Sequence, residues 1–198
     1  MTRWKRIALS SVAAGVLVGG GWVWLKEASA ALPGNPPGTV IRCKGDKSHL
    51  LQVNGGPGLN AVTSGFIDAT VGQSSTTSDG RLTTQLTVNG TNTQGYIDGV
   101  GTLVISMDKS RAVPPSSLTA NQRGSAFPAT QTMRFFPVLT LNGEAFTSAT
   151  PVQVVSSSVT SFPPQRGTVY VLTNAVVLKS AEGNEISLEP GKAFTITG

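Results

Sequence analysis

Residues 81–107 read RLTTQLTVNGTNTQGYIDGVGTLVISM, and the fold class follows from how this stretch alternates. Leu82, Thr84, Leu86 and Val88 recur with period two, Asn89-Gly90 interrupts them, and an apolar run with Val100, Leu103, Val104 and Ile105 follows. Period two places alternate side chains on one face of a strand. Asn-Gly suits a tight turn, because both central residues of a type I′ turn take positive φ. The spacing therefore predicts a hairpin that turns at Asn89-Gly90. The phrase Leu86-Thr87-Val88-Asn89-Gly90 recurs as Leu51-Gln52-Val53-Asn54-Gly55 and, with Leu for Val, as Leu139-Thr140-Leu141-Asn142-Gly143. Several strand-turn units packed together are expected.

Working outward, residues 61–71 read as a strand and the polar run 72–80 as a loop. Gly65-Phe66-Ile67-Asp68 returns as Gly95-Tyr96-Ile97-Asp98. Two copies are too few for a solenoid and instead suggest pseudo-equivalent strands, with the aromatic and the Asp on one face and the Ile on the other. Towards the N-terminus, residues 39–42 and 49–53 read as two strands, the second closed by the turn-forming Asn54-Gly55-Gly56-Pro57-Gly58. Towards the C-terminus, residues 138–141 and 145–146 make a hairpin, 151–160 a strand, and 168–178 the most apolar strand, with 185–188 as its partner. Residues 193–197 end the chain as a strand with Phe194 and Ile196 on one face. No stretch after residue 30 shows the i, i+3, i+4, i+7 spacing of an amphipathic helix. Short strands punctuated by turns predict an all-β fold, a single antiparallel β-sandwich or barrel-like domain over 39–198.

The N-terminus reads differently. Arg3, Lys5 and Arg6 precede an uncharged, mostly apolar run at 7–25, and Ala28-Ser29-Ala30 has the small-x-small pattern of signal cleavage. Residues 1–30 are expected to be a signal peptide, or an uncleaved membrane anchor helix through 7–25, since that run nears the ~20 residues a bilayer crossing needs. Residues 31–38, ALPGNPPG, read as an extended linker. Without residues 1–30, the 15 basic and 10 acidic residues fall by four and one to 11 and 9, so the formal charge drops from +5 to +2. No Lys/Arg cluster remains to follow a phosphate backbone, so nucleic acid is not an expected partner. The single cysteine, Cys43, excludes an internal disulfide and is expected to be buried.

No catalytic or ligand-binding motif stands above background. His49 is the only histidine and lies in Asp46-Lys47-Ser48-His49; sequence neighbours seldom converge as a triad does, so it is expected at the surface or a strand edge. One His and one Cys are too few for a zinc site. Asp68, Asp98, Asp108 and Glu144 lack the spacing of a calcium loop or a glycosidase pair. No cofactor or metal is expected. The least regular stretch, 111–137, is expected to be a long loop, and such loops tend to be functional. Its Arg111, Arg123, Phe127, Arg134, Phe135 and Phe136 are the candidate ligand-binding residues, suited to a sugar or an anionic partner.

These observations lead to the expectation of an exported protein, periplasmic, cell-surface or secreted. It would be non-catalytic, with a structural or binding role in or outside the cell envelope. The second expectation is a carbohydrate- or small-ligand-binding module that uses the 111–136 loop, and the third a hydrolase. Expected partners are a protein or a second copy joined through edge strands, the strand 193–197 first among them, or a glycan.

Overall fold

The computed structural model describes residues 35–198, so the expected signal or anchor segment and the start of the linker lie outside the described residues. Every regular element is a strand: β1 (Val40–Val53), β2 (Leu59–Thr76), β3 (Leu82–Ile97), β4 (Gly101–Met107), β5 (Ser116–Ala120), β6 (Ala129–Phe135), β7 (Pro137–Leu141), β8 (Glu144–Ser148), β9 (Val152–Val159), β10 (Val169–Leu172), β11 (Val176–Ser180), β12 (Glu185–Leu188) and β13 (Gly191–Ile196). The described residues are all-β, in one large antiparallel sheet.

That sheet closes on itself twice, through β12 with β1 and β5 with β3. Both closures share the three long strands β1, β2 and β3. The C-terminal half of β3 pairs with β4 and its N-terminal half with β5. In the same way β1 pairs with β12 near Leu51 and with β13 near Gly45. The remaining ten elements then resolve into five long strands, each broken once: β4/β5, β6/β7, β8/β9, β10/β11 and β12/β13. One tier of the wall runs β3-β4-β7-β8-β11-β12-β1 and the other β3-β5-β6-β9-β10-β13-β1. The molecule is thus an eight-stranded up-and-down barrel whose last five strands are interrupted at a common waist. Eight strands leave an interior that side chains can nearly fill or that can hold one small ligand.

Alternation decides which side faces in. Along β1, Ile41, Cys43, Gly45, Lys47 and Leu51 are buried while Val40, Arg42, Lys44 and Leu50 are exposed. On β2 and β3, Ile67 and Ile97 point inward, whereas Phe66, Asp68 and Tyr96 lie on the outer face, as expected for the repeated phrase. On that outer face Arg42 grips Asp68 with two bonds of 2.7 and 2.8 Å and stacks over Phe66. Inside, Leu51, Ile97, Leu103, Leu139, Phe146 and Ile186 fill one tier, and Leu86, Leu118, Met133, Tyr170 and Phe194 the other. Cys43 is buried with them.

Three expectations are corrected. Asn89-Gly90 is no turn: β3 runs through it to Ile97, and the hairpin closes at Asp98–Val100. Because β2 is long enough to pair with both halves of β3, Asn89 is extruded as a bulge between the Ala69–Val88 and Asp68–Gly90 partners. The extra residue shifts the inward parity from Val88 to Thr91. Asn54 and Asn142, by contrast, do turn hairpins with φ of 49° and 50°. Their side chains bind neighbouring backbone too: Asn54 Oδ1 accepts from Glu185 N at 2.7 Å, and Asn142 Oδ1 accepts from Thr102 N at 3.1 Å.

Second, the stretch 111–137 is not one irregular loop, for it contains β5, β6 and the start of β7. Their apolar positions are too few and too mixed with Ser, Thr and Gln to stand out by period. Third, the C-terminal strand is no free edge: β13 pairs with β1 on one side and β10 on the other. β13 is thus held on both sides, by β1 at Thr195 and Ile196 and by β10 from Gly191 to Thr195.

Candidate functional site

The five interruptions fall at the same height, and there the wall's inward side chains leave a cavity of about 40 Å³. One side of it is apolar. Phe135 and Pro137 flank the β6/β7 break, Val152 and Val154 open β9, Leu172 ends β10, and Leu188, Ala193 and Phe194 flank the β12/β13 break. Ile67 and Ile105 continue that lining from β2 and β4. The other side carries Lys47 and His49 of β1. Two residues apart on one strand, they share the inner face at roughly 7 Å Cα to Cα.

Lys47 is only 4% exposed. Its Nζ donates to Thr91 Oγ1 at 3.0 Å, and Thr91 in turn donates its hydroxyl hydrogen to the Phe66 carbonyl at 3.0 Å. Thr91 can then only accept from Lys47, so the bond uses an N–H of the amine and leaves its lone pair free. The Phe194 ring centroid lies 5.5 Å from Nζ. Among the described residues no carboxylate forms an ion pair with Lys47; the salt bridges there join Arg42 with Asp68, Arg81 with Asp79 and Lys179 with Glu185. Burial without a counter-charge disfavours the ammonium and pushes the Lys47 amine down to about 7.

His49 is half-buried as a residue, yet its Nε2 is sealed from solvent and has no hydrogen-bond partner among the described residues. Burial, and then the nearby Lys47, hold its imidazole down at about 4, so it is neutral at pH 7. The expectation of a surface or strand-edge histidine is corrected. Thr63 and Thr93, on the inner faces of β2 and β3, also have buried hydroxyls without partners. Thr63 lies directly opposite Lys47 across the β1–β2 ladder. The cavity is therefore lined almost wholly by apolar groups, with Lys47 and His49 as its polar residues, and the unsatisfied His49 nitrogen is of the kind that fixes a ligand's orientation.

A glycine shapes the apolar wall. Gly45 lets the Phe194 ring lie flat against β1, since a Cβ there would come within 2.5 Å of the ring atoms Cε2 and Cζ.

The six residues expected to bind a ligand do not converge. Arg111 stacks over Phe136 at 3.4 Å and donates to the Ser148 and Ala149 carbonyls at 2.6 and 3.0 Å. It thereby ties together three strand interruptions at the waist. Arg134 donates to Gln153 Oε1 at 2.7 Å and to the Pro115 carbonyl at 3.0 Å. Arg123 is exposed beside Gly80, and Phe127 packs against the core. Only Phe135 reaches the cavity. The signal that would have found Lys47 and His49 is parity: joining the strands at 39–42 and 49–53 into one puts both on the face of Ile41, Cys43 and Leu51.

No family model matches the chain, and no curated protein matches it in sequence. In fold it is similar to the structure of DynF from the dynemicin biosynthesis pathway of Micromonospora chersina. The TM-score is 0.68 and the identity 12%, over 96% of this chain and 97% of that one. The expectation of a non-catalytic structural module is corrected by this likeness. Along nearly its whole length the chain shares its fold with a protein of a biosynthetic pathway.

Proposed function

We propose that the protein takes a small, mainly apolar molecule into the barrel and acts on its polar end through Lys47 and His49. One observation carries this reading: a buried lysine without a counter-charge faces an otherwise apolar cavity beside an unpartnered imidazole nitrogen. Burying an unpaired polar group opposes folding by roughly 1–3 kcal/mol, so such a pair is easier to explain by use than by packing. Strongly perturbed ionisable groups in a cleft favour the same reading. The fold likeness to DynF supports a biosynthetic intermediate as the class of molecule.

Size limits that molecule. A water needs about 10–15 Å³ of such space, so 40 Å³ admits a few waters, a chain of a few carbons or one end of a longer molecule. Methyl NMR tests the reading. Titration with butanol, butanal and butyrate is expected to shift the methyls of Ile67, Ile105, Leu172 and Leu188 while those of Leu103 and Leu139 stay in place. Filling the cavity with Ala193→Leu is expected to abolish the shifts in a protein that still melts cooperatively. Unmoved cavity methyls with all three probes would overturn it.

A further inference from the structure

We propose that Lys47 is a carbonyl-capturing amine: its Nζ condenses with the aldehyde or ketone group of the bound molecule to form an imine, and His49 carries the proton. This deepens the reading of the waist cavity as a ligand site and rests on it.

The geometry around Nζ favours a nucleophile over an anchor. Because the Thr91 hydroxyl hydrogen is committed to the Phe66 carbonyl, the amine keeps its lone pair available. The apolar surroundings of Phe194, Ile67 and Leu188 exclude the water that would otherwise hydrolyse an imine. Desolvation, which holds the Lys47 amine at about 7, keeps a large neutral fraction at physiological pH, whereas a solvated lysine near 10.4 is almost wholly protonated. An anionic ligand fits less well, since no second cation and no helix N-terminus among the described residues supports Lys47.

The step balances. The Nζ lone pair forms the C–N bond as the carbonyl π pair moves to oxygen. His49 takes a proton from the new ammonium and returns it to that oxygen, giving a neutral carbinolamine. His49 then takes the second N–H proton and passes it to the hydroxyl as the nitrogen electrons form the C=N bond and expel it, so water leaves, the imine remains and His49 ends neutral. One amine and one carbonyl become one imine and one water, with no redox change. His49 suits this role: it lines the same cavity as Lys47 and its Nε2 has no competing partner.

The test treats the full chain with butanal and cyanoborohydride at pH 7, followed by intact mass measurement and peptide mapping. The expected product carries one butyl group on Lys47, gained about a thousandfold faster than on the exposed lysines, in line with the larger neutral fraction. Lys47→Met is expected to lose that product. His49→Gln is expected to slow it roughly tenfold or more, as loss of a proton carrier does. Labelling of Lys47 no faster than of surface lysines overturns the proposal, as does labelling unaffected by His49→Gln. If butanal shifts the cavity methyls without modifying Lys47, the imine is excluded while the cavity reading stands. If neither occurs, both fall.

Discussion

At the scale of single residues, Lys47 is a costly choice. An apolar wall, the Phe194 ring, the neutral His49 and one hydroxyl face it, and among the described residues no carboxylate pairs with it. Its amine sits at about 7 in the folded chain against 10.5 when unfolded. Between those values the unfolded state binds more protons, so stability rises with pH through that window. His49, at about 4 folded against 6.5, adds a rise of the same sign between those values. Thermal melts from pH 4 to 10 are therefore expected to climb across both windows. Lys47→Met should flatten the upper climb and raise stability at pH 7 by about 1–3 kcal/mol, since Thr91 keeps its bond to the Phe66 carbonyl. A variant as pH-dependent as the parent above pH 7, or less stable than it, would refute this account of Lys47. Parity held the information on this pair, and one lysine and one histidine amid Ser and Asp masked it. A charged residue in a strand reads as an outward one, and only the flanking Cys43 and Leu51 show otherwise.

At the scale of elements, β1, β2 and β3 owe their length and curvature to glycines at mid-strand. Gly65 lies opposite Thr93, and Gly95 opposite Thr63. A Cβ at Gly65 would overlap the Asn92 carbonyl oxygen and the Thr93 backbone, so the two strands coil more closely than side chains allow. Gly65→Ala is expected to destabilise by about 2–3 kcal/mol. Gly90→Ala, in open space and without positive φ, should fall within about 1 kcal/mol of the parent. Denaturant titrations compare them, and equal losses would count against a close-approach role for Gly65. The repeated Gly-aromatic-Ile-Asp phrase thus showed two adjacent strands, and Asn54 and Asn142 turn as their phrase suggested. Asn89 departs because long-range pairing with β2 overrides its local preference, and no window of β3 alone contains that information. The breaks in the last five strands escaped for the same reason: 168–178 reads as one strand, whereas β10 ends at Leu172 and β11 begins at Val176.

At the scale of the whole molecule, the fold class followed from alternation, whereas closure did not, because it is set by which distant strands meet. β13 shows what closure requires. It supplies Ala193, Phe194 and Ile196 to the interior and joins β1 to β10. Removing residues 191–198 is expected to abolish cooperative unfolding by circular dichroism, and a truncated chain that still melts in one sharp transition would show the barrel can stand open. Around the ring, seven of the eight seams join strands consecutive in sequence, and one, between β1 and β12/β13, joins the two ends of the described chain. The local seams can zip as each strand is synthesised, but the last must wait for a long loop to close. A nascent chain therefore carries an unclosed sheet with its greasy face bare until its final strand emerges, and that interval, more than the finished protein, is when a chaperone would be needed.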